Sequence, residues 1–121
     1  MNLKELFIRA RDRYVYNQVM KAELPEFPGS APVRYRMVFS GKVQNVGFRY
    51  ETELMAQRLG LTGFCMNLEN GDVLAELQGL RSKIEFYIRF MQSLKRMRIE
   101  NVTVSELPLN PDETNFCREI K

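Results

Sequence analysis

The chain has 121 residues, 45% of them apolar, with a formal net charge of +3 and no histidine. That length makes one domain with an ordinary core, and so small a charge suits an anionic small molecule but is too weak to argue for nucleic acid. The missing histidine excludes a Ser-His or Cys-His nucleophile, a His-ligated zinc site and a histidine general base.

Residues 2 to about 22 read as an amphipathic helix. Asn2 and Glu5 have capping-box spacing, and Leu3, Phe7, Ala10 and Tyr14 recur at helical intervals. Leu24-Pro-Glu-Phe-Pro-Gly-Ser-Ala-Pro32 cannot hold a helix and reads as a linker. Residues 1–32 are therefore expected to be an extension that docks on the domain or forms a dimer contact, and 33–121 to be the domain proper. A first strand runs from Val33 to Ser40, with Tyr35, Met37 and Phe39 inward and Arg34, Arg36 and Val38 outward. A helix from Phe48 to Leu59 turns Phe48, Thr52, Met55, Ala56 and Leu59 to the core, and Gly60 is placed to end it. Residues 62–68 and Asp72 to Gln78 form the next strands, joined by a two-residue Asn70-Gly71 turn. Ser82, with Glu85 three positions on, is placed to cap another helix, whose stripe is Ile84, Tyr87, Ile88, Met91 and Leu94. Around it Arg81, Lys83, Arg89, Lys95, Arg96 and Arg98 read as a solvated face. A strand near Asn101 to Leu107 follows, then a short fifth strand, Phe116 to Ile120. Cys65 and Cys117 lie in strand-like runs without C-x-x-C spacing and read as unpaired thiols.

The order β-α-β-β-α-β plus one strand is a ferredoxin-like α/β sandwich, an α+β fold with two helices on one face of an antiparallel sheet. The right-handed crossover makes the first two strands parallel, with the third between them. Their carboxyl ends share one sheet edge. Gly41-Lys-Val-Gln-Asn-Val-Gly-Phe-Arg49 leaves the first strand there, and Asn67 ends the second. Glycines 41 and 47 permit sharp turns with unshielded amides. The helix start adds unpaired N–H groups and partial positive charge, and Arg49 adds a planar fork of donors. Together these are a seat for a phosphate-sized dianion. The side chains of Gln44 and Lys42 are expected to face solvent.

These segments resemble the acylphosphatase family. Gly41 to Arg49 is similar to its G-x-V-Q-G-V-x-F-R signature, and Leu59-Gly-Leu-Thr-Gly-Phe-Cys-Met-Asn67 to its L-G-L-x-G-[WF]-V-x-N signature. Asn70-Gly71 to Gly79 is similar to a third block. The resemblance spans residues 33–121 and leaves out the first 32. It implies hydrolysis of acyl phosphates to a carboxylate and inorganic phosphate. Arg49 and Asn67 are the implied catalytic pair: Arg49 binds the phosphoryl group and Asn67 holds the attacking water. The backbone amides of Gln44, Asn45, Val46, Gly47, Phe48 and Arg49 are the implied phosphate loop. Asn45 stands where the signature has glycine. If that position needs positive φ, Asn is the best substitute, so a reshaped cradle is expected rather than a lost one.

An acyl phosphate loses a carboxylate that leaves without a proton, so a site without histidine suffices. No metal or cofactor is expected, and no nucleic-acid or membrane partner. The chain lacks an apolar run of spanning length and a signal peptide, so a cytoplasmic setting is the expectation. Two other uses of the fold compete. A non-catalytic module that seats phosphate or carbamoyl phosphate is favoured by Asn45. RNA binding needs exposed aromatics on central strands, and Asp72 to Gln78 has none.

Overall fold

The structure, a computed structural model, describes residues 1–119. The elements in chain order are α1 (Leu3–Lys21), β1 (Pro32–Lys42), α2 (Phe48–Leu59), β2 (Thr62–Asn67), β3 (Val73–Leu80), α3 (Arg81–Ser93), β4 (Arg98–Leu107) and β5 (Phe116–Arg118). The sheet order is β4-β1-β3-β2-β5. β3 is antiparallel to both β1 and β2, so those two run parallel with β3 between them, as the connection rule requires. β5 pairs parallel to β2, which makes the ferredoxin-like sheet mixed rather than wholly antiparallel. Ile120, expected to close that strand, lies outside the described residues.

Core formation follows the apolar periodicities. Met37 and Phe39 of β1, Phe48, Met55 and Leu59 of α2, Leu77 of β3 and Ile84, Tyr87 and Met91 of α3 are all buried. Where the two helices meet, Thr52 and Tyr87 share a buried hydroxyl–hydroxyl hydrogen bond of 2.6 Å. Gly60 ends α2 in the left-handed region (φ 67°), and the Leu61 amide reaches back to the Ala56 carbonyl.

The outward face of β1 is not simply solvated. Arg34 is buried between Glu76 (3.0 Å) and Glu113 (2.8 Å), and Arg36 also pairs with Glu76 at 2.8 Å. The bond to Glu113 leads the effects that raise the Arg34 pKa above its ordinary value. Alternation alone placed Arg34 in water; the loop carrying Glu113 folds back over it.

Three local expectations fail for identifiable reasons. Ser82 does not cap α3, which begins at Arg81; its hydroxyl bonds the Pro28 carbonyl instead. The Asn70-Gly71 turn is longer than two residues. Leu68 donates to the Asp72 carbonyl and Gly71 to the Leu68 carbonyl, and Gly71 has a positive φ while Asn70 does not. That is the three-residue turn with a left-handed glycine, since a two-residue type I′ turn needs both residues left-handed. Gly41 belongs to β1 rather than to the loop; it marks a register shift where β1 continues along β4.

The inward face of α1 also differs from the expected stripe. Asn2 caps the helix by accepting from the Glu5 amide at 2.8 Å. Leu3, Phe7 and Tyr14 remain 66%, 66% and 58% exposed, while Val15 and Val19 are fully buried in the core. Arg58 of α2 secures this docking by donating to the carbonyls of Val19 and Ala22, both at 2.7 Å. The docked face is set by what α2 offers, not by the largest side chains of α1. Val19→Ala is therefore expected to cost about 1–3 kcal/mol in urea unfolding, as loss of buried methyl groups does. Phe7→Ala should stay within about 0.5 kcal/mol, as at an exposed site.

Candidate active site

Residues 43–49 leave the end of β1 and enter α2 through two left-handed positions, Asn45 (φ 63°) and Gly47 (φ 81°). Asn45 is the only non-glycine residue with positive φ among the described residues. The asparagine thus supplies the conformation a glycine would. Left-handed residues spaced along a loop turn successive amides toward one side, the geometry of an anion nest. At the start of α2, Gly47 supplies no side-chain cap, so the first-turn N–H groups remain available to an outside acceptor.

Beside this loop is a cleft of about 80 Å³, lined by Arg11, Val43, Asn45, Gly47, Phe48, Arg49, Tyr50, Asn67 and Arg118. The parallel placement of β1 and β2 brings Arg49 and Asn67 to this one cleft from 18 positions apart. Asn67 is half-buried at the last position of β2, opposite Val73. Arg49 is half-buried as a residue, and its guanidinium donates to the Glu119 carbonyl at 3.0 Å in an exposed contact. Gln44 and Val46 do not line the cleft.

Gln44 and Val46 have other partners. The Gln44 side-chain amide, expected in solvent, donates to the carbonyls of Leu68 and Asp72, each at 2.8 Å. It staples the loop to the β2–β3 turn, just past Asn67. The Val46 carbonyl accepts from Arg96 Nε at 2.6 Å. Arg96 is no part of a solvated face: its side chain is 19% exposed and also donates to Glu51 at 2.6 Å and Gln18 at 3.1 Å. Lys42 is exposed, as expected.

Glu51 is fully buried, and its Oε2 has no partner among the described residues. Burial pushes its carboxyl above the ordinary value of 4.5, against the opposing pull of Arg96. The Cys65 thiol, buried behind Arg49, is pushed up to about 12 by burial, so it stays protonated and is not a nucleophile. Cys117 is exposed, and the two thiols are not joined.

Three cleft residues escaped sequence reasoning. Arg118 reaches the cleft from β5, paired with Glu53 at 3.3 Å and lying 5.1 Å from the centre of the Tyr50 ring. Arg11 comes from α1, one turn before Val15. The pair Val15 and Val19 at helical spacing was the signal that could have phased α1 correctly and turned Arg11 inward. Tyr50 carried no separate signal.

The arrangement is a ferredoxin-like sandwich with an arginine-lined cleft at the edge where β1 and β2 end. The acylphosphatase family profile matches residues 35–117. An acylphosphatase from Clostridium beijerinckii is 36% identical over 88 residues, covering 69% of this chain and 94% of that protein. One from Vibrio parahaemolyticus is 39% identical over 77 residues, covering 63% and 86%. The solved structure of an acylphosphatase from Coxiella burnetii superposes with a TM-score of 0.67 at 29% identity, over 73% of this chain and 93% of that one. The chain belongs to the acylphosphatase family. It is a hydrolase of acyl phosphates, and among the described residues no helix is long and apolar enough to cross a membrane.

Two measurements check this description. Asn45→Gly should leave stability within about 0.5 kcal/mol, whereas Asn45→Val should lose about 1–2 kcal/mol to left-handed strain. For Glu51 the folded pKa lies above the unfolded one, so the native state holds the proton more tightly. Its contribution to stability must then fall as pH rises from the ordinary value of 4.5 through the raised one. The unfolding free energy of wild type minus that of Glu51→Gln is expected to decline over that window. A flat difference would show that Glu51 is not held as described.

Proposed function

We propose that the phosphoryl group of the substrate sits in the cleft between Arg49 and Asn67, where water attacks it. The reading is supported chiefly by one observation: Arg49, Asn67 and the left-handed loop residues Asn45 and Gly47 line a single cleft. Arg49 and the backbone N–H groups of the loop residues that line the cleft, Asn45, Gly47, Phe48 and Arg49, bind the phosphoryl oxygens. Asn67 orients the water through its carboxamide, which takes no proton at neutral pH.

In the reaction the water oxygen bonds to phosphorus while the bond from phosphorus to the acyl oxygen breaks. That electron pair leaves with the carboxylate, and the proton of the water passes to a phosphate oxygen, giving inorganic phosphate. The leaving group is stable as an anion and needs no acid. The transition state spreads charge over the phosphoryl oxygens, so fixed donors and position supply the catalysis. The left-handed Asn45 keeps the loop conformation of a glycine, which supports turnover over a non-catalytic phosphate or carbamoyl-phosphate module.

Arg49→Ala should nearly abolish hydrolysis of benzoyl phosphate while circular dichroism and the melting temperature stay close to wild type. Asn67→Ala should lower kcat by about 10² to 10³, as loss of a positioned transition-state donor does. Near-normal turnover by the first variant would sink the assignment of the site, and an unchanged kcat in the second would remove Asn67 from the mechanism.

A further inference from the structure

We infer that Arg11, carried by α1, is a second phosphoryl-binding cation, so that the substrate is gripped between that helix and the loop; this rests on the reading of the Arg49–Asn67 cleft given above. Arg11 lines the same cleft as Arg49 and Asn67. Its side chain lies over Gly47, where an added Cβ would come within 3.3 Å of Arg11 Nε and 3.4 Å of its Cδ. A glycine at that position lets a guanidinium come down onto the loop backbone.

The helix that presents Arg11 is fixed. Val15 and Val19 are fully buried, Arg58 holds the carbonyls of Val19 and Ala22, and Arg96 ties Gln18 to the Val46 carbonyl of the loop itself. Among the described residues, the partner of the Arg11 guanidinium is the adjacent Asp12, with both contacts at 3.4 Å. Those distances are longer than a strong charge-assisted bond, about 2.7–2.9 Å. A phosphoryl dianion offers twice the charge and a matching set of oxygens, so it outcompetes one loosely held carboxylate. Arg118 differs in being held on two sides, by Glu53 at 3.3 Å and by the Tyr50 ring, whose centre is 5.1 Å away. Arg11 also lies outside the residues 35–117 that the family profile matches, so no family signature assigns it.

The charge that Arg11 meets is present in substrate, transition state and phosphate product alike. Uniform binding of this kind lowers KM and tightens product inhibition without raising kcat. The test is steady-state hydrolysis of benzoyl phosphate, with inorganic phosphate as inhibitor, on wild type, Arg11→Gln and Arg11→Lys. Arg13→Gln, an exposed position on the same helix, controls for net charge. Arg11→Gln should raise both KM and the phosphate inhibition constant about tenfold, the worth of one hydrogen bond to a charged group, with kcat within about twofold. Arg11→Lys should recover part of the loss, and Arg13→Gln should match wild type. The inference is overturned if Arg11→Gln matches Arg13→Gln in both constants, or if it lowers only the melting temperature. Should Arg11→Gln fail to fold, Arg11→Lys decides: weaker phosphate inhibition supports the role, and inhibition equal to wild type overturns it. An active Arg49→Ala enzyme would remove the parent reading; an inactive one beside a silent Arg11→Gln would remove only this inference.

Discussion

One guanidinium holds the working parts of this molecule in register. Arg96, just beyond α3, reaches α1 through Gln18, the loop through the Val46 carbonyl and α2 through Glu51. The side chain of Tyr14 on α1 lies against it as well, 5.7 Å from ring centre to guanidinium carbon. The bond to Val46 has a consequence for the cleft. A trans peptide is planar, so its N–H points opposite to its C=O. Drawing the Val46 carbonyl toward Arg96 therefore turns the Gly47 N–H the other way. Val46 and Arg96 line a neighbouring groove, whereas Gly47 lines the cleft. The loop is thus oriented by a residue about fifty positions away that does not line the cleft.

The same cation makes a buried carboxylate tolerable. An ionised carboxyl with one oxygen unpartnered is costly in a core, and a buried pair that loses one member is destabilised by about 3–5 kcal/mol. Glu51 accepts that position because Arg96 is 2.6 Å away, yet its pKa still rises because burial outweighs the pairing. Gln44 does the matching work at the start of the loop. It replaces water around the Leu68 and Asp72 carbonyls with its own amide, which fixes the loop against the turn that follows Asn67. Two side chains that play no direct part in chemistry thereby set the distance between the arginine loop and the asparagine strand.

Sequence reasoning reached the central β1-β3-β2 order, though not the places of β4 and β5, and brought Arg49 and Asn67 to one edge because those depend on short-range signals. Strand alternation, the glycine at the end of α2 and the loop between β1 and α2 are each legible within about ten residues. The parallel relation of β1 and β2 followed from connection geometry, and it carried Arg49 and Asn67 to one edge. What stayed hidden depends on what covers a surface. Arg34 and Arg96 read as solvated because a charge on one strand or beyond one helix carries no mark of the acid that will meet it from elsewhere. Leu3, Phe7 and Tyr14 outrank Val15 and Val19 in size, so the wrong face of α1 was read as the buried one. Ser82 and Asn70-Gly71 are motifs with the right residues in a neighbouring but different geometry. There the tertiary bond to Pro28 and the extra residue in the turn decided the outcome.

Phasing α1 by its docked valines changes what the first helix contributes. Val15 and Val19 are one helical turn apart, and Arg11 continues their row by one more turn. A helix docked through that row must project Arg11 along the same face, toward the loop that α2 carries. The anchoring residues Arg58 and Arg96 lie within the residues 35–117 that the family profile matches, while the groups they hold, Val19, Ala22 and Gln18, lie before them. Arg96 thereby ties the helix that carries Arg11 and the loop to one side chain. A cation placed this way avoids most of the ordering cost that a mobile tail would meet on binding. On this physical ground the proposed grip on the phosphoryl group extends to an arginine outside the family motifs.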